Sequence, residues 1–281
     1  MLQHELSLEE PSYANKLTYA TAEDPWVRRN IIRFVEFLTG RPKIERLYKE
    51  LRMMDLVPNE VWDAALDKLN VVGVYDSQQL AKIPKQGPLV FVSNHPFGVI
   101  DGLLLGQLVS CVRDTFSVLV HDALTKQDAR LDKFLLPVDF KETKDALRTN
   151  IETRKRALKT LSEGDALAIF PAGGVSTSPK GFGKAEDHEW KRFTAKLIQK
   201  SRATVVPIYF HGQNSRLFQL VSQVSQLLRY GLLLHEVRNK MGNHIHITVG
   251  DPIPFEDLSE LKDRQALLDH LREVTYSLSV K

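Results

Sequence analysis

Cysteine is nearly absent from this sequence: Cys111 is the one thiol in 281 residues. An internal disulfide is therefore excluded, and a reducing compartment fits. Cys111 sits in an apolar, helix-like run, where a buried structural thiol is expected rather than a nucleophile. Long apolar runs are missing as well. The apolar-rich piece Leu217 to Leu234 is interrupted by Gln219, Ser222, Gln223, Ser225, Gln226 and Arg229, and no window has the length a bilayer span needs. Met1 to Glu10 is acidic and has neither the basic start nor the apolar core of a secretory signal. Net charge is only +3 at pH 7, so charge gives no case for a nucleic-acid partner. The expectation is a protein that is soluble or held at a membrane surface.

At 43% hydrophobic and 26% charged residues, the chain can build one large domain, or a domain with an appendage. Residues 1–24 are polar with a net charge of −4, which predicts a mobile or loosely packed arm. Asp24-Pro25 then reads as a helix cap with Pro at the first helical position. Trp26, Val27, Ile31, Phe34, Val35 and Leu38 follow at helical spacing, up to Gly40. Further helices are expected over about Ile44–Met53 and from Pro58 to Leu69. Residues 25–52 carry eight basic and three acidic side chains. A basic, amphipathic helix with a Trp near its start suits a membrane interface. It equally suits an apolar stripe packed on a main domain with its charges in water. Residues 1–69 are thus read as an arm and amphipathic helical segment, and 70–281 as an α/β domain.

Within 70–281, strands and helices alternate. Strands are expected at Val71–Tyr75, Leu89–Val92, Ser117–His121, Phe134–Val138, Ala166–Phe170, Thr204–Phe210 and His244–Val249. Helices are expected after Asp101, over Lys144–Ser162, over Trp190–Arg202 and over about Leu258–Ser277. In the Lys144 helix, Leu147, Ile151, Leu158 and Leu161 form the apolar face. Alternation of this kind predicts an α/β fold with a mainly parallel central sheet flanked by helices.

Three polar clusters each follow a buried strand. The first is Ser93-Asn94-His95-Pro96-Phe97-Gly98-Val99-Ile100-Asp101-Gly102. A His oriented by an Asp is a general base. No Ser or Cys stands where this pair would need an enzyme nucleophile, so the simplest chemistry has His95 deprotonate a substrate hydroxyl or amine that attacks an activated acyl carbon. Plain turn chemistry, with Asp101 as a helix N-cap, fits the same residues. The second cluster is Phe170-Pro171-Ala172-Gly173-Gly174-Val175-Ser176-Thr177-Ser178, followed by Lys180, Lys184, Lys191 and Arg192. Paired glycines let a substrate approach the backbone, and hydroxyls and cations suit a phosphate or carboxylate. The third is His211-Gly212-Gln213-Asn214-Ser215-Arg216, in which Arg216 suits an anionic head group. Strand ends in open α/β sheets carry ligand sites, so the three clusters are expected to converge on one sheet edge.

Taken in order, Asn-His-Pro-Phe-Gly…Asp-Gly, Phe-Pro-Ala-Gly-Gly-Val-Ser and Val-Val-Pro-Ile-Tyr-Phe resemble the glycerolipid acyltransferase superfamily over roughly residues 70–255. Its best-known members are the 1-acylglycerol-3-phosphate (lysophospholipid) acyltransferases. The wording Phe-Pro-Ala-Gly and Phe-His-Gly-Gln-Asn-Ser-Arg is closer to its hemolysin-labelled, lyso-ornithine-lipid O-acyltransferase branch. The resemblance implies that His95 is the base and Asp101 its partner. It places Asn94, Gly98, Phe170, Pro171, Gly173, Gly174, Ser176 and Arg216 around the substrates. It further implies an acyl-carrier-protein (acyl-ACP) or acyl-CoA thioester as co-substrate, a lysolipid acceptor, no bound cofactor or metal, and peripheral association with the cytoplasmic face of a membrane. Five residues separate His95 from Asp101 where the family usually has four, and the usual Phe-Pro-Glu-Gly-Thr-Arg has lost its Glu and Arg. Less phosphate-binding charge suits a lyso-amino-acid lipid.

Two other classes stay open on the residues alone. One is a catalytically silent lipid- or membrane-binding protein of the same fold. The other is a metal hydrolase using His244 and His246 on one strand face, or His121-Asp122, although no third ligand is evident.

Overall fold

The computed structural model describes residues 20, 24–125, 128–140 and 143–280. The arm expected over 1–24 falls, apart from residues 20 and 24, outside the described residues.

The chain opens with helices α1 (Trp26–Thr39), α2 (Arg41–Arg52) and α3 (Glu60–Leu69). Strand β1 (Val72–Val74), helix α4 (Ser77–Ala81) and strand β2 (Leu89–Ser93) lead to helix α5 (Val99–Ser110). Strands β3 (Phe116–His121) and β4 (Leu135–Val138) precede helix α6 (Lys144–Ser162) and strand β5 (Ala166–Ile169). Helix α7 (Arg192–Ser201) and strand β6 (Thr204–Phe210) follow, then helices α8 (Arg216–Val224) and α9 (Gln226–Lys240). Strand β7 (His244–Val249) and helices α10 (Phe255–Leu258) and α11 (Arg264–Ser277) close the chain.

The strands form a seven-stranded sheet in the order β1-β7-β6-β2-β5-β3-β4. Neighbours are parallel except β6 and β7, which are antiparallel. The sheet is therefore mixed, although mostly parallel. The alternating apolar and exposed pattern of β7 is that of a half-covered strand near a sheet edge. β2, at the centre, is buried on both faces. Leu89 and Phe91 join a core with Leu104, Leu105, Leu108, Val237 and, from α3, Trp62, Leu66 and Leu69. Val90 and Val92 join a second core with Leu161, Leu197, Leu267 and Leu268. Each such side chain adds about 1.5–3 kcal/mol by leaving water. Trp62 reaches the first core because α5 carries Gly106 there: a Cβ on that residue would lie 2.4 Å from the indole ring.

Several expectations need correction. Leu147 and Ile151 of α6 are exposed, and the buried face is Ala146, Thr153, Ala157 and Leu161. Spacing alone favoured the bulkier residues, but small side chains let α6 lie close to the sheet. The expected Trp190–Arg202 helix begins at Arg192, and the expected Leu258–Ser277 helix is two helices. Cys111 is exposed at the C-terminal end of α5. Asp24 does not cap α1; it pairs with Arg28 at 3.2 Å. The apolar stripe of α1 does not pack inward either. Ile32 is buried and Val35 lies against Gly231 of α9, while Trp26, Val27, Phe34, Phe37 and Leu38 are all more than half exposed. No helix among the described residues is long and apolar enough to cross a membrane.

Candidate active site

Because β2, β5 and β6 are parallel neighbours, the segments that leave them emerge at one sheet edge. The first carries His95. Its backbone reverses at Gly98, where φ is +88°, a conformation glycine adopts without strain. Gly98 is the N-cap of α5 and gives no side-chain bond, so Asp101 lies inside the first turn and is not the cap. From there its fully buried carboxylate reaches back. Oδ2 accepts the Phe97 N–H at 2.9 Å and stands 3.1 Å from His95 Nδ1. The imidazole lies at hydrogen-bond distance but off the bond axis. The five-residue spacing is thus absorbed by the turn at Gly98, and one carboxylate oxygen serves both the loop and the ring.

The other ring surroundings come from the second segment. Phe170 stacks on the imidazole with ring centroids 3.9 Å apart and planes at 22°. With Nδ1 turned to Asp101 and one face covered, Nε2 is the nitrogen left to meet a substrate; the side chain is 17% exposed. The Ser176 N–H donates to the His95 carbonyl at 2.8 Å, joining the first and second segments. Asn94 joins the first to the third. Its carboxamide donates to Phe210 O at 2.9 Å and accepts from Phe210 N at 2.8 Å, so it splices the loop onto β6.

No sequence motif marks Asp187, yet it organises the site. It is buried, and its Oδ1 accepts from Ser176 Oγ at 2.5 Å and from the His95 N–H at 3.1 Å. Its Oδ2 accepts from Trp190 Nε1 at 3.0 Å. Burial pushes this carboxyl above the usual range, and the Ser176, Trp190 and His95 donors hold it back. An aspartate in a charged loop, Lys184 to Arg192, offers no sequence signal of this role.

The hydroxyls expected to meet a phosphate are turned inward. Ser176 bonds Asp187, Thr177 Oγ1 lies 3.4 Å from His188 Nε2, and Ser178 Oγ donates to Phe182 O; all are buried. Gly173 donates its N–H to Phe170 O at 2.9 Å and lies under the Phe140 ring, which neighbours His121 at the end of β3. Pro171 accepts the Lys191 N–H at 2.8 Å. Arg216 starts α8 with its side chain exposed. A cation that bonds this loop directly is Arg229 of α9, whose Nη2 donates to Val175 O at 2.5 Å. Its one visible signal in the sequence is that it interrupts an apolar-rich helix. His211 bonds Thr248 Oγ1 at 2.7 Å, and burial pushes its imidazole below its ordinary value. His244 and His246 are exposed on β7. Among the described residues no three His, Cys, Asp or Glu side chains stand together as a metal site.

Comparison with known proteins gives four matches. A family model described as Acyltransferase matches residues 11–281. A lyso-glycine lipid O-acyltransferase of Bacteroides thetaiotaomicron is 29% identical, covering 71% of this chain and 73% of that protein. The protein of the same description from Phocaeicola vulgatus is 27% identical, covering 71% of each. Among solved structures, the 1-acyl-sn-glycerophosphate (LPA) acyltransferase PlsC of Thermotoga maritima is similar with a TM-score of 0.47 and 14% identity, over 90% of this chain and 96% of that one.

Proposed function

This chain belongs to the acyltransferase family, and from that premise we propose that it moves a fatty acyl group from a thioester to the hydroxyl of a lysolipid. The observation that carries the reading is the partly exposed His95 ring at the sheet edge, stacked on Phe170 with Nδ1 beside Asp101. In the proposed step Nε2 takes the hydroxyl proton as the oxygen attacks the thioester carbonyl. The new ester C–O bond forms, the C–S bond breaks, and the proton passes to the departing sulfur as a free thiol. Asp101 stabilises the transient imidazolium and keeps the Nδ1–H tautomer.

The donor is an acyl-ACP or acyl-CoA; both present the acyl group on phosphopantetheine. The acceptor is a lyso-amino-acid lipid, a reading supported by the lyso-glycine lipid O-acyltransferases among its relatives and by the missing Glu and Arg of the usual phosphate block. The exposed side chains Trp26, Val27, Phe34, Phe37 and Leu38, with Arg33 beside them, support peripheral binding at the cytoplasmic face of a membrane.

Purified protein incubated with acyl-ACP or acyl-CoA and a set of lysolipids tests the chemistry by thiol release. Turnover that disappears in folded His95→Gln is expected. Equal turnover in that variant refutes the role of His95.

A further inference from the structure

We propose that Arg229 is the residue that reads a free carboxylate on the acceptor head group. The proposal rests on the acyltransferase reading above and names a specificity-determining residue for it.

Arg229 comes from α9, outside the motif blocks, and its guanidinium is half-buried. One N–H is spent on Val175 O, and the group lies 5.8 Å over the Phe218 ring. Among the described residues no Asp or Glu pairs with it. Burial accordingly pushes its acidity up, with only Tyr230 opposing. Withdrawing a cation from water without a counter-charge is costly. Such a group at a ligand-facing edge asks for an anion from outside the chain.

Its placement says which anion. Val175 O and Ser176 N belong to one peptide unit, and that unit bonds Arg229 on one side and the His95 carbonyl on the other. The base loop and the guanidinium are therefore no more than about 8 Å apart through that peptide. A Cβ on Gly174 would stand 3.9 Å from Arg229 Nη2, so the bare backbone leaves the guanidinium approachable. A single planar fork matches the two oxygens of a carboxylate. The Ser176 and Ser178 hydroxyls that would share a phosphomonoester with it are bonded inward. An amino acid linked through its carboxyl would present an ammonium, which Arg229 repels.

The test uses the full-length protein and three ligands: an N-(3-hydroxyacyl)glycine, its methyl ester, and lysophosphatidic acid. Binding is followed by calorimetry and acyl transfer by thiol release. We expect the acid to bind, and to be acylated at low concentration, roughly tenfold to a hundredfold better than the ester. That preference should vanish in folded Arg229→Gln through KM rather than kcat, with the ester changing far less than the acid, and Arg229→Lys should restore part of it. The proposal is overturned if unaltered protein treats acid and ester alike, if Arg229→Gln weakens both equally, or if lysophosphatidic acid binds best through Arg229. Selective binding of the acid without transfer from any donor would refute the acyltransferase reading while supporting this one.

Discussion

Removing the Asp187 carboxylate should both destabilise the protein and slow it. In Asp187→Ala, the Ser176 hydroxyl, the His95 N–H and the Trp190 indole N–H lose their shared acceptor inside a buried pocket. Each stranded donor costs about 1–3 kcal/mol, and partial relaxation brings the total to about 3–5 kcal/mol. Against a typical total of about 5–15 kcal/mol, the variant should fold but melt much earlier. Asp187→Asn is more discriminating. Its amide oxygen can replace Oδ1 and keep Ser176 and His95, but its NH2 then confronts the Trp190 N–H. The expected cost is about 1–3 kcal/mol, and adding Trp190→Phe should recover part of it. Activity follows the same logic: a shift of about 1 Å in the His95 loop can lower kcat by about 100-fold in Asp187→Ala, with far less effect in Asp187→Asn. Urea unfolding and kcat measured on the same samples check both. An Asp187→Ala protein within 1 kcal/mol of the parent and with unchanged kcat would refute the network.

Asp101→Asn, which keeps the shape but not the charge, should lower kcat by about 100- to 10,000-fold with little change in KM; a loss under threefold would remove Asp101 from the mechanism. Gly106→Ala drives a methyl into the Trp62 ring, and the overpacking of about 1–3 kcal/mol exceeds the helix-propensity gain of up to about 1 kcal/mol. Thermal melts should show the loss, and a smaller residue at position 62 should relieve it. Burial holds His188 and His211 below their unfolded value of about 6.5. The unfolded chain then binds more protons, so stability is complete above about pH 6.5 and falls as pH drops through the lowered folded values. His211→Gln should flatten that slope in urea titrations from pH 7.5 to 5; an unchanged slope argues against His211 as a source.

Much of the sheet could be read from the chain, because buried strands such as Leu89–Ser93 and Thr204–Phe210 are continuous apolar runs bounded by turn residues. The three segments following β2, β5 and β6 do meet, since parallel neighbours place their exits on one edge. Orientation was harder. The period of α1 and α6 marks an apolar face but not whether a partner covers it, so Phe34 and Leu147 face water while Glu36 and Thr153 are inside. Long-range partners were hidden entirely. Asp187 is 92 positions from His95, and Arg229 is 54 from Val175; no local pattern links either pair. The Ser176 hydroxyl is visible in the sequence, but the Asp187 partner that turns it inward is not.

The central claim is that His95 is the base of an acyl transfer to a lysolipid. The most direct measurement is mass-spectrometric lipid profiling of a host with and without the protein, repeated with His95→Ala. The account predicts a new diacylated amino-acid lipid that is lost in the folded, equally abundant variant. The same lipid at the same level in the variant would contradict it.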